Sequence, residues 1–142
     1  MTTAYRTFER RRLVRFGDCD PAGIVFYPRY FEMLNALLED WFGQGLGIDF
    51  AAFITERRLG LPSRAIASEF LAVSRCGETL VQRLAVKRLG RTSLTLDVRY
   101  LGVDGSERAR FEQVLVCTSL ATHRPEPLPA DLRAALESFM TP

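Results

Sequence analysis

The sequence is short of the residues that usually announce a mechanism. Its 142 residues contain one histidine, His123, and three cysteines, Cys19, Cys76 and Cys117, with no C-x-x-C pair among them. An odd cysteine count without paired spacing argues against a disulfide framework and against a zinc site. It fits a reducing compartment, so a cytoplasmic protein without bound metal is expected. No apolar run approaches the roughly 20 residues of a membrane span. The stretch from Met1 to Arg12 is polar and Arg-rich, without the apolar core of a secretory signal. Lysine is nearly absent: Lys87 stands alone among 19 basic residues, the rest being arginine. The net charge of +2 is too small to imply a nucleic-acid partner. The densest basic cluster, Arg10-Arg11-Arg12 with Arg15, lies in an alternating run from Thr7 to Gly17 that reads as a strand carrying charge on its solvated side. It lacks the interleaved aromatic platforms of a nucleic-acid surface.

What is present is ordinary globular material, with 47% apolar and 25% charged residues, enough for one domain over 1–142. After the first strand, Gly17 to Pro28 carries Asp, Gly and two prolines and reads as a loop. From Pro28 the period changes: Tyr30, Leu34, Leu37, Leu38 and Trp41 form one stripe of a helix, while Phe31, Met33, Ala36 and Phe42 widen its apolar cover. Gly43, Gly45 and Gly47 are expected to stop it. A weakly helical connection over 48–62 ends at Gly60-Leu61-Pro62. Four strands follow, at about 64–74, 79–89, 92–103 and 107–120, with Asp104-Gly105 as a hairpin turn. A short helix from Asp131 to Phe139 closes the chain. The order predicts an α+β domain in which a five-stranded antiparallel sheet packs around one long helix. Its open edges suggest a dimer that continues the sheet.

The loop Phe16-Gly17-Asp18-Cys19-Asp20-Pro21-Ala22-Gly23-Ile24-Val25-Phe26-Tyr27-Pro28 carries the chemistry. Asp-x-Asp before a helix is ordinarily turn and capping chemistry. Asp18-x-Asp20-x-x-Gly23 copies the start of a calcium loop, but Ala22 stands at a ligand position and Arg29 where the bidentate glutamate belongs. The catalytic reading uses a carboxylate beside the free N–H groups of a helix N-terminus. The N–H groups polarise a carbonyl, and the carboxylate attacks it or activates a water. With one histidine no Ser-His-Asp set competes. A Cys117–His123 dyad is the other nucleophile candidate, though Cys117 reads as a buried strand residue.

The run Gly17-Asp18-Cys19-Asp20-Pro21-Ala22-Gly23-Ile24-Val25, followed by Tyr27-Pro28-x-Tyr30, resembles the 4-hydroxybenzoyl-CoA thioesterase family of hotdog-fold proteins. The element order resembles that family over nearly the whole chain. The resemblance implies a long helix wrapped by the sheet and a homodimer, often pairing again into a homotetramer, with active sites at subunit interfaces. It implies an acyl- or aroyl-coenzyme A substrate, hydrolysed without metal or cofactor. Asp20 matches the family's catalytic aspartate, and the backbone N–H of Tyr27 matches its carbonyl-polarising group. Gly23 would let substrate approach the backbone, and Asp18 would organise the loop. Tyr27, where many relatives carry His, leans toward an aromatic acyl group. Arg88, Arg91 and Arg124 stand where basic residues meet the nucleotide phosphates of coenzyme A, Arg91 foremost.

One departure bears on the substrate. Gly60-Leu61-Pro62 has leucine where the hydroxybenzoyl enzyme has threonine near the phenol end, so a phenolic hydroxyl would lose a partner. Benzoyl, phenylacetyl, other aroyl or short aliphatic acyl groups are then candidates. A carboxylate on the helix itself, Glu32, Glu39 or Asp40, is the catalytic alternative used by a related hotdog branch. A hotdog dehydratase would need a histidine this region lacks. A non-catalytic acyl-CoA-binding protein is the remaining reading of the same fold.

Overall fold

In this computed structural model residues 6–141 are described; the outermost ends of the domain expected over 1–142, residues 1–5 and Pro142, lie outside the described residues. The elements run β1 (Phe8–Leu13), α1 (Tyr27–Asp40), α2 (Phe50–Thr55), β2 (Leu59–Gly60), β3 (Ser63–Phe70), β4 (Thr79–Leu89), β5 (Ser93–Gly102), β6 (Glu107–Val116), β7 (Thr118–Ser119) and α3 (Ala130–Glu137). The main sheet has the order β1-β4-β5-β6-β3, antiparallel throughout. This is the expected α+β arrangement. The two-residue strands β2 and β7 form a small second sheet that the sequence did not suggest.

Period-two alternation decides which face meets the helix. Leu80, Gln82, Leu84 and Val86 on β4, Leu94, Leu96, Val98 and Tyr100 on β5, and Ala109, Phe111, Gln113 and Leu115 on β6 are all buried. Against them α1 lays Tyr30, Met33, Leu34, Leu37 and Leu38, followed by Trp41 and Phe42. Each large apolar side chain buried this way contributes about 1.5–3 kcal/mol. Gln82, wholly buried, is satisfied on both sides of its amide. It accepts from Arg12 Nε at 2.7 Å and donates to the Met33 carbonyl at 3.2 Å.

The largest boundary differences from the sequence reading are four. β1 ends at Leu13, and Phe16–Asp18 form a 3₁₀ turn that leaves Phe16 88% exposed. Gly43 and Gly45 do not stop the helix. The chain continues through Trp41–Leu46 as a π turn and reverses only at Gly47, whose φ of +68° suits glycine. Gly45 is a packing glycine, since a Cβ there would lie 2.5 Å from Trp41 Cδ1. β3 stops at Phe70, because the N–H groups of Leu71 and Ala72 both turn to the Arg108 carbonyl. The sixth strand ends at Val116, and Thr118–Ser119 peel away to pair with β2.

The arginines of β1 are also not simply solvated. Arg10 and Arg12 lie on the helix side and both reach Asp40 in the last turn of α1, at 3.4 and 3.2 Å. An edge strand beside a helix end makes this clamp available. The opposite edge, β3, is exposed along almost its whole length, with Ile66 and Phe70 uncovered on its helix side. Among the described residues no helix is long and apolar enough to cross a membrane, and no group of three or more His, Cys, Asp or Glu could hold a metal ion.

Candidate active site

The Asp18–Tyr27 loop is organised by its own main chain. Asp20 N–H donates to the Ile24 carbonyl at 3.0 Å, Gly23 N–H to the Asp20 carbonyl at 2.9 Å, and Phe26 N–H to the Asp18 carbonyl at 2.9 Å. Asp18 Oδ2 accepts the Arg15 N–H at 2.9 Å, which is loop organisation. Gly23 has φ +79° with open space around it, so the backbone itself needs glycine there. Asp20 is half-buried. Its Oδ1 accepts the Ala22 N–H at 2.8 Å, and its Oδ2 has no hydrogen-bond partner among the described residues.

A short turn away, α1 begins at Tyr27 with Pro28 in its first turn. The first N–H groups of a helix have no intrahelical partner, and Tyr27 N–H has no backbone acceptor among the described residues. One loop thus presents an unengaged carboxylate oxygen and an unengaged helix N–H. The surrounding surface is aromatic: Phe26, Tyr27 and Phe70 are half exposed, with Tyr27 and Phe70 ring centroids 6.0 Å apart.

The loop is held from below by residues that, Tyr30 of the motif aside, the sequence reading did not single out as part of the site. Val25 N–H donates to the Ser74 carbonyl at 2.9 Å and Cys76 N–H to the Gly23 carbonyl at 3.1 Å. Tyr30, buried in α1, donates its hydroxyl to Ser74 Oγ at 3.0 Å, and burial raises its pKa. Arg108 bonds Ser74 Oγ, the Val73 carbonyl and Glu78. That contact, with the Arg75 N–H on the other Glu78 oxygen, lowers the Glu78 pKa. Nothing in linear spacing links β6 to residues 73–78, so no sequence signal could have found this set. Cys19 packs near Cys76, and its thiol is raised by burial and by that neighbour.

The other candidate residues sit elsewhere. Leu61 precedes β3, Arg88 is the last residue but one of β4, Arg91 lies in the β4–β5 turn and Arg124 in the loop after β7. The registers put Leu61, Arg88 and Arg91 at the end of the sheet where Leu89 meets Leu94 and Ser63 meets Leu115, and Arg124, whose carbonyl accepts the Ser119 N–H at 2.9 Å, follows the end of β6 there. Asp20, Gly23 and Tyr27 are at the opposite end, where Leu13 meets Thr79 and Phe70 meets Ala109. The length of β4, roughly 30–35 Å, separates the two groups within one chain. Arg88, Arg91 and Arg124 are exposed, with no ion-pair partner among the described residues. The alternatives are differently disposed. Glu32 pairs with Arg29 at 2.8 Å, Asp40 is clamped at the far end of the helix, and Glu39 is exposed. Cys117 is fully buried with its thiol raised by that burial, and His123 lies on an exposed loop, so they present no nucleophile.

Residues 14–136 match the thioesterase-like superfamily. A 1,4-dihydroxy-2-naphthoyl-CoA hydrolase of Thermosynechococcus vestitus is 30% identical over 132 residues, covering 89% of this chain and 89% of the relative. A 4-hydroxybenzoyl-CoA thioesterase of a Pseudomonas species is 28% identical over 62% of this chain and 63% of its own. Among solved structures, a 1,4-dihydroxy-2-naphthoyl-CoA thioesterase from Synechocystis superposes with a TM-score of 0.85 at 23% identity, over 92% of this chain and 96% of that one. That likeness establishes the hotdog fold, the helix wrapped by the five-stranded sheet described above.

Proposed function

Because the chain belongs to the thioesterase-like superfamily, we propose that it hydrolyses the thioester of an aromatic acyl-coenzyme A to the free acid and coenzyme A. Acyl-CoA thioester hydrolysis is the activity for which its relatives are named. The observation that carries the mechanism is the pairing, in one loop, of the unengaged Asp20 Oδ2 with the unengaged Tyr27 N–H. The N–H group, aided by the positive end of α1, stabilises the oxyanion as the carbonyl becomes tetrahedral. Asp20 supplies the attack by one of two routes. As nucleophile it forms a mixed anhydride with the acyl group, expelling the coenzyme A thiolate, and water then hydrolyses the anhydride to the free acid. As general base it takes a proton from the water that attacks the thioester carbon, and the thiolate leaves as the tetrahedral intermediate collapses.

The half-exposed rings of Phe26, Tyr27 and Phe70 beside the loop favour an aromatic acyl group. The relative matched over more of the chain is named for a naphthoyl substrate. Leucine at position 61 agrees with a ring whose phenol oxygen finds no hydroxyl partner there.

The separation of Asp20 from Leu61, Arg88, Arg91 and Arg124 points to a homodimer. β3 runs from the Leu61 end to the Asp20 end, and its free edge is exposed. Antiparallel pairing of two β3 strands about a two-fold axis would continue the sheet and set Asp20 of one protomer near the basic end of the other. The site is then shared: Asp20, Gly23 and Tyr27 from one chain, the phosphate-binding arginines and Leu61 from its partner. Two such dimers would make the expected homotetramer.

The test is thiol release from a panel of 1,4-dihydroxy-2-naphthoyl-, 4-hydroxybenzoyl-, benzoyl- and short aliphatic acyl-CoA, with light scattering alongside. Turnover is expected with the aroyl substrates, with benzoyl-CoA ahead of 4-hydroxybenzoyl-CoA, on a species at least twice the 16.1 kDa chain mass. Tight binding without turnover across the panel would instead establish a non-catalytic acyl-CoA-binding protein, and a monomer at micromolar concentration would refute the shared site.

A further inference from the structure

We infer that Arg108 is a positioning residue for this reaction. From the start of β6 it fixes the 73–78 segment on which both the Asp20 loop and the first turn of α1 are hydrogen-bonded. The inference rests on the functional reading above and concerns how that site keeps its shape.

Arg108 is unlike the other ion-paired cations of the described residues. Its side chain is 12% exposed, against 27% or more for the rest. Its guanidinium reaches four acceptors: Ser106 Oγ at 3.0 Å through Nε, the Val73 carbonyl at 3.0 Å and Ser74 Oγ at 3.3 Å through Nη1, and Glu78 Oε2 at 2.8 Å through Nη2. Its own carbonyl accepts the N–H groups of Leu71 and Ala72 at 2.8 and 3.2 Å. The 71–78 segment lies outside the sheet ladder, and Arg108 ties it to β6 by main chain and side chain together. A planar fork suits this, because its donors are fixed relative to one another.

Two connections run from the segment to the chemistry. Ser74 accepts from Val25 N–H and Cys76 donates to Gly23, so the 74–76 backbone carries the Asp20 loop. Ser74 Oγ also accepts from Tyr30, three residues along α1 from Tyr27, and the Tyr30 carbonyl is held by the Tyr100 hydroxyl at 2.8 Å. The Asp20 carboxylate and the Tyr27 N–H are therefore referred to one anchored point. Without Arg108, Val73, Ser74 and Glu78 each lose a donor, and the spacing between carboxylate and N–H is no longer fixed. Misplacement on the order of 1 Å costs about 10²-fold in rate.

The experiment measures kcat and KM for one good aroyl-CoA in Arg108→Met, Arg108→Lys and Ser74→Ala, well below each melting temperature. Arg110→Met, an exposed arginine on the outer face of the same strand, is the control. Arg108→Met is expected to lower kcat by roughly 10–100-fold with little change in KM. Arg108→Lys should recover part of this, since an ammonium reaches some but not all of the four acceptors. Ser74→Ala, which leaves the Arg108–Glu78 pair in place, should lower kcat less while still folding if Arg108→Met does not. Arg110→Met should match wild type. In Asp20→Asn/Arg108→Met the two losses should combine to less than their product, because both substitutions act on the Asp20 carboxylate. Wild-type kcat in folded Ser74→Ala and Arg108→Lys, or losses that multiply in the double variant, overturns the inference. An inactive Asp20→Asn beside fully active Arg108 variants overturns it alone, whereas a fully active Asp20→Asn overturns the functional reading itself.

Discussion

Replacing Asp20 by Asn tests the chemistry proposed for this carboxylate while leaving the loop's architecture in place. The side chains are nearly isosteric, and an amide Oδ1 can still accept the Ala22 N–H that Asp20 accepts at 2.8 Å. What changes there is a charged acceptor for a neutral one, a difference of about 1 kcal/mol. For a domain of this size that shifts the melting temperature by roughly 3–5 °C. The chemical loss is larger. An amide neither attacks a thioester carbon nor takes a proton from water, and removing a general base alone costs about 10²–10⁴-fold, or roughly 2.7–5.4 kcal/mol of barrier. Asp18→Asn is the internal comparison. Asp18 Oδ2 accepts the Arg15 N–H at 2.9 Å, so it should lose similar stability with kcat nearly unchanged. The assay is thiol release under saturating aroyl-CoA, with thermal melting and equilibrium binding of a non-hydrolysable analogue on both variants. Asp20→Asn should bind and melt close to wild type while turnover collapses. A kcat within about tenfold of wild type would refute the reasoning and move the search to Glu32 and Glu39.

Arg91→Ala should raise KM for acyl-CoA more than it lowers kcat, with the effect shrinking for acyl-pantetheine substrates that lack the nucleotide; equal losses on both would remove Arg91 from phosphate binding. Gly23→Ala should destabilise by about 1–2 kcal/mol, because φ is +79° there although a Cβ meets no atom within 4 Å; an unchanged denaturation midpoint would show that the loop relaxes freely. Glu78 has a pKa lowered first by Arg108 and then by the Arg75 N–H, so its stabilisation is full above the ordinary carboxylate range and lost as pH falls through the lowered value. Wild type should therefore lose more melting temperature than Glu78→Gln between about pH 5 and pH 3, and parallel acid profiles would contradict this.

Local chemistry was readable wherever neighbours in sequence are neighbours in space. The alternation of Leu94, Leu96, Val98 and Tyr100 identified a strand face, and all four are buried. The Tyr30–Trp41 stripe identified the central helix. The β4 limits agree with the reading, since a turn closed by Gly77 and the Gly90-Arg91 pair bound it on both sides. Boundaries failed where a partner element intervened. β3 was cut short by the Arg108 carbonyl, and Gly43 and Gly45 were carried through a π turn by packing around Trp41.

The sequence settled the inner hydrogen bonds of the motif loop, because Asp18 accepts from Arg15 N–H, Asp20 accepts from Ala22 N–H and Gly23 N–H donates to the Asp20 carbonyl, all within a few positions. It also determined the α+β order, because hydrophobic periodicity is a property of consecutive side chains. Tertiary structure alone decided that Arg10 and Arg12 turn inward to Asp40, and that Arg108 anchors Ser74 and Glu78 beneath the loop. It alone decided that Asp20 and Arg91 stand at opposite ends of one sheet. Those relations depend on strand order and register, which bring together residues some 30 positions apart and separate others that a linear motif groups. No pattern along one chain encodes which end of a sheet a residue will occupy until the strands have paired.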